Sequence, residues 1–145
     1  MIPIPVRLAG LCCLLIAAVA SAQTEARYKA RLSTMPIDFV NASAVTGSGS
    51  VSAVLTGTSL KVSGTFDGLG GLATIAQVRR GPLGIRGPVV FDLTIAKATK
   101  GTIEGTIELK PNQVEDLKRG RLYIQIHSDK APDGNLWGWL LNQES

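Results

Sequence analysis

His127 is the only histidine in the chain, so any imidazole chemistry must run through it. Ser128 and Asp129 follow it directly, and successive strand residues point to opposite faces, so the three cannot converge into a Ser-His-Asp relay. Partners for such a relay would have to come from elsewhere, and no pattern marks them. Asp129 with Asp133, or Glu115 with Asp116, could be taken as carboxylate pairs for acid–base work. Turn solvation and helix capping account for both more simply. Gly81-Pro82-Leu83-Gly84-Ile85-Arg86-Gly87 is glycine-rich. It lacks the Lys-Ser/Thr of a phosphate-binding loop and leads into a strand rather than a helix. Turn geometry explains its glycines, and the flanking Arg79, Arg80 and Arg86 leave an anion contact as the alternative. Asn41-Ala42-Ser43 matches a glycosylation acceptor, which matters only on a eukaryotic secretory route.

Contact chemistry is a second possibility. Trp137 and Trp139 stand two apart and share one face of a strand, while Leu136 and Leu140 share the other. With the leucines facing the core, the indoles are either covered by another segment or exposed as a contact surface.

The elements that must position these residues repeat with a period of two. Tyr28, Ala30 and Leu32 alternate with Lys29 and Arg31; Leu60, Val62, Gly64 and Phe66 alternate with Lys61, Ser63 and Thr65. Val51 to Leu55 and Ile103 to Leu109 alternate similarly, and further strands fit 74–79, 89–95, 122–128 and 136–141. Gly57-Thr58 reads as a hairpin turn, and Pro132-Asp133-Gly134 as the turn closing a terminal hairpin. One short helix interrupts. Asn112 is its expected cap with Glu115 in capping-box spacing, Val114 and Leu117 share a face, and Gly120 is the left-handed stop. The expected fold is an all-β antiparallel sandwich with one short helix in the C-terminal third.

The first residues read as a removable export signal: Arg7, an apolar run from Leu8 to Val19, then the small residues Ala20-Ser21-Ala22. This divides the chain into a signal over 1–22 and a single domain over 23–145. Cys12 and Cys13 leave with the signal, so the exported domain has no thiol, disulfide or Cys-based metal site. A lipoprotein reading fits less well, because Leu11 rather than a small residue precedes Cys12. Retention as an uncleaved anchor is the other reading. Loss of Arg7 takes the formal charge of +4 down by one, a mild excess. The basic residues are scattered and the aromatics too sparse for a nucleic-acid platform, so no nucleic acid is expected as a partner.

Two stretches carry a family resemblance. Ala76-Gln77-Val78-Arg79-Arg80-Gly81-Pro82 with Gly87-Pro88-Val89-Val90-Phe91-Asp92-Leu93, and Gly120 to Ser128 with Ala131 to Gly138, resemble the two main motifs of the CHRD (chordin-like) domain. The resemblance spans roughly Arg27 to Leu141. It implies an extracellular or periplasmic immunoglobulin-like, Greek-key β-sandwich with no assigned catalysis. The usual motif carries a His-x-His pair and a third His at the end of the Tyr-containing strand, a set that would suit a metal ion. Here the pair aligns with Gln77 and Arg79, and only His127 remains. A guanidinium repels a divalent ion, and one imidazole does not make a transition-metal site.

The expectation is therefore a secreted or periplasmic, non-enzymatic binding module with no cofactor and no metal. No membrane span remains after signal cleavage. Its candidate contact patch is Gln77, Arg79, His127, Trp137 and Trp139. Its partner would be a protein, a surface glycan or a second copy of the chain. The alternative is a small metal-dependent enzyme or metal carrier using His127 with Gln77, Arg79 and nearby carboxylates.

Overall fold

The computed structural model describes residues 2–5, 24–36, 38–40 and 42–144. The apolar run of the expected signal, the junction at Ala22 and Asn41 of the acceptor triplet lie outside them. Alternating side chains build β1 (Glu25–Thr34), β2 (Ser48–Thr56), β3 (Ser59–Asp67), β4 (Ala73–Arg80), β5 (Val89–Ile95) and β6 (Gly101–Glu108). Helix α1 (Pro111–Lys118) comes next, followed by β7 (Leu122–Ser128), β8 (Leu136–Trp139) and the two-residue β9 (Leu141–Asn142).

All-β, antiparallel and with one short helix, the chain folds as its periodicity requires. The two separate sheets of a sandwich are not what forms. Hydrogen bonding runs β1-β2-β3-β6-β5-β4-β7-β8 and returns to β1, which closes a barrel of eight strands. Two strands make the closure. β1 pairs with β2 along most of its length, and then turns Ser33 and Thr34 onto Trp137 and Leu136 of β8. β5 pairs with β4 from Val89 to Leu93 and gives Thr94 and Ile95 to β6. Closure satisfies the backbone groups that an open sheet would leave at its edges. β9 continues β8 past Leu140 and also pairs with β1.

One face of each strand fills the barrel. Tyr28, Leu32, Val51, Leu60, Ile103 and Ile124 are almost wholly buried there. Burial raises the Tyr28 phenol above its ordinary 10.0, and the charge of Glu144 adds to the effect. Leu136 and Leu140 point into the same core.

Helix α1 differs from its sequence reading at one end. Its cap is Lys110, not Asn112, and the side-chain Oε1 of Gln113, rather than that of Glu115, accepts the Lys110 backbone N–H at 2.8 Å. Pro111 explains the shift, since its fixed φ suits the first helical position and starts the helix earlier. The stop is as expected: Gly120 takes φ 68, which a side chain would strain. Leu117 enters the core and Asp116 is buried beside it, its carboxylate 2.8 Å from Arg80 Nε. Among the described residues no helix is long and apolar enough to cross a membrane.

Candidate functional site

The residues singled out from the sequence meet on the outer face of β4, β7 and β8. Strand register explains why. Leu122, Ile124 and Ile126 of β7 face the core, so Tyr123, Gln125 and His127 face outward. Gln77 lies opposite Gln125, which lies opposite Trp137 on its other side; Arg79 and Trp139 flank Tyr123 in the same way. His127 sits one step along, opposite Ile75.

At one end of this face the aromatic rings pack together. Tyr123 stacks on Trp139 with centroids 4.6 Å apart, and the two indoles meet edge to face at 4.8 Å. The glycine-rich segment 81–87 folds over them. Trp139 Nε1 donates to the Gly81 carbonyl at 2.9 Å, the Gly87 N–H donates to the Tyr123 hydroxyl at 2.8 Å, and Arg79 Nε donates to the Gly87 carbonyl at 2.9 Å. A buried indole N–H needs such an acceptor. The choice left open by the sequence is thereby divided between the two indoles. Trp139 is covered, only 7% exposed, and an exposed contact role for it is withdrawn. Trp137 stays partly exposed, flooring a groove of about 330 Å³ with Arg31, Ser33, Leu83 and Leu141 around it.

The other end is polar. His127 Nδ1 lies 2.7 Å from the Pro132 carbonyl, which can only accept, so Nδ1 carries the proton. Nε2 then accepts from the Gln125 amide at 3.1 Å, and the same amide reaches the Asp133 carbonyl at 3.4 Å. Gln125 is fully buried, and among the described residues its Oε1 has no hydrogen-bond partner. Gly134, at φ 133, lets the turn close over this amide: a Cβ there would run into Met35 Sδ and sit 2.9 Å from Gln125 Nε2.

Few chemical options are open to these groups. Ser128 faces inward, and its hydroxyl donates to the buried Asn135 side chain at 2.9 Å, away from the imidazole. Gln77 donates to Asp92 at 3.2 Å. Among the described residues no three His, Cys, Asp or Glu side chains gather as a metal-ligand group. The anion alternative at Arg79, Arg80 and Arg86 needs correcting, because Arg79 is tied to Gly87 on the outer face. The third arginine beside Arg80 and Arg86 is Arg121, from the start of β7.

Tyr123, Gln125, Arg31 and Leu83 were missing from the sequence-derived patch. For Tyr123 and Gln125 the signal was present, since the period of two that places His127 outward places them outward as well. Arg31 and Leu83 reach the groove only through barrel closure and the fold of the 81–87 segment. Residues 28–140 match the CHRD domain. No curated protein and no solved structure gives a match. That span runs from the middle of β1 to the end of the terminal hairpin, so the chain belongs to the CHRD domain family, a family of extracellular and secreted domains.

Proposed function

We propose that this is an exported, non-enzymatic binding module that grips a protein partner through the groove floored by Trp137. One observation carries the reading: a partly exposed indole is bordered by large apolar side chains that face solvent. Leu83 is 72% exposed and Leu141 50% exposed on its borders. Aromatic anchors beside aliphatic and Arg side chains are the composition of protein interfaces. A sugar would want hydroxyl partners where Leu83 and Leu141 stand, so a glycan is the weaker choice. Arg31 at the groove wall, with the mild positive charge that remains after loss of Arg7, favours an acidic partner surface.

A non-enzymatic role is supported by the use of both His127 nitrogens in the fold and by the inward turn of Ser128. The metal-dependent alternative would have to recruit Gln77, held by Asp92, and the cation of Arg79. Export is supported by the family and by Arg7, the apolar run and Ala20-Ser21-Ala22. Mass spectrometry of protein outside the cytoplasm should find Gln23 first.

Photo-crosslinking in the native envelope tests the binding role. A photoreactive residue at Leu83 should capture one discrete protein, and the same group at Lys61, on the opposite arc, should not. Capture at both positions, or a Leu83 product that survives Trp137→Ser, would overturn the proposal. A product consisting of two copies of this chain would reassign the groove to self-association.

A further inference from the structure

Beside the segment that covers Trp139 lies a second concavity, which shares no lining residue with the Trp137 groove. It is about 270 Å³ and is lined by Arg80, Gly81, Pro82, Arg86, Gly87, Pro88 and Arg121. No carboxylate is among its lining residues. The three arginines come from three places, the end of β4, the covering segment and the start of β7, and backbone bonds hold those places together. Arg80 N–H donates to the Pro88 carbonyl at 3.0 Å, Gly81 N–H to the Arg121 carbonyl at 2.8 Å, and Arg121 N–H to the Asp116 carbonyl at 2.8 Å. Pro82 and Pro88 stiffen both ends of the covering segment.

Charge in the cleft is not balanced. Asp116 meets Arg80 at Nε, 2.8 Å away, and the Arg80 side chain is still 53% exposed, so its guanidinium can take a second acceptor. Among the described residues neither the Arg86 nor the Arg121 guanidinium has a hydrogen-bond or ion-pair partner. One carboxylate against three guanidinium groups leaves two positive charges over one small concavity.

We propose that this cleft binds a tetrahedral oxyanion, a phosphate or sulfate group, held by Arg80 Nη, Arg86 and Arg121. Planar guanidinium forks around one concavity match the oxygens of such a group better than any single cation does. Asp116 orients Arg80 and does not fill the site. The cleft opens to solvent, so the oxyanion can be free or carried as an ester on a larger molecule. The proposal stands independently of the Trp137 groove, which Arg86 and Arg121 do not line.

Titration of the exported domain with inorganic phosphate, with glucose 6-phosphate as the ester, and with chloride at matched ionic strength tests it. Amide chemical shifts report where binding occurs. Trp139 fluorescence reports as well, because its Nε1 bonds Gly81 at the rim. Saturable shifts confined to residues 80–88 and 121 are expected, about tenfold weaker in Arg86→Ala and in Arg121→Ala, with Arg86→Lys between. Both arginines are exposed, so the variants should keep the wild-type melting temperature. Binding of the ester as tight as that of the free ion identifies an ester-linked group, and preference for the free ion identifies the ion itself. Shifts spread over all lysines and arginines, or phosphate no better than chloride, would overturn the proposal, as would variants that bind like wild type.

Discussion

Tyr123 stacks on Trp139, centroids 4.6 Å apart and planes 28° from parallel, on the outside of a barrel whose inside is already full. The stack, roofed by the 81–87 segment, is a second small core on the outer wall, and it sets the two tryptophans different tasks. Trp139→Ala removes a buried indole, its ring contacts and its bond to Gly81, and should destabilise the fold by about 3–5 kcal/mol. Trp137→Ser removes a partly exposed ring and its edge contacts to Tyr123 and Trp139, and should cost less, about 1–2 kcal/mol. Urea denaturation separates the two, and equal costs would mean that Trp137 is structural as well.

Gly134 supports the polar end of the same face. Gly134→Ala combines a strained backbone at φ 133 with a collision against Met35 Sδ and the Gln125 amide. A loss of about 2–4 kcal/mol is expected. Retained stability would show that the turn can shift, and the His127–Pro132 bond would then be lost from the imidazole NMR signals.

Arg80 and Asp116 join the last turn of α1 to the end of β4. The Asp116 side chain is 8% exposed and Arg80's is 53% exposed, so solvent screens much of the attraction. Arg80→Ala should cost about 1–2 kcal/mol, chiefly by leaving the buried carboxylate unpaired. Asp116→Asn with Arg80 intact should cost less, and thermal unfolding of the two single variants gives the order.

Tyr28 gives the fold an alkaline limit. Its folded pKa is raised above 10.0, first by burial and then by Glu144. Above pH 10.0 the unfolded chain therefore loses the phenolic proton more readily than the folded one. The stability linked to this group is complete below that pH and is lost as pH rises through the folded value. Stability curves of wild type and Tyr28→Phe should diverge only on that alkaline side, with the wild type falling more steeply. Parallel curves would assign alkaline loss to other groups.

Much of this was legible along the chain. A period of two identifies Tyr28, Leu60 and Ile124 as interior and the indoles as outward, because strand geometry is local. Barrel closure was not legible. It depends on β1 and β5 each changing partner part-way, a matter of pairings far apart in sequence. The cover over Trp139 was hidden for the same reason, since Gly81 and Trp139 stand 58 residues apart. The helix start was misjudged by weighing the capping preference of Asn112 above the fixed φ of Pro111. Of the arginine cleft, Arg80 and Arg86 were legible beside the glycine-rich segment, but Arg79 lies on the other face of β4, and Arg121 arrives only through the pairing of β4 with β7.

On the proposed reading, the outer wall of this barrel is a binding surface anchored by the partly exposed Trp137. Calorimetric titration of the Leu83-crosslinked partner into wild type and Trp137→Ser, with thermal unfolding of both, tests it most directly. Affinity weakened by about thirtyfold or more is expected, while the melting temperature moves by only a few degrees. Unchanged affinity in a folded Trp137→Ser domain would contradict it.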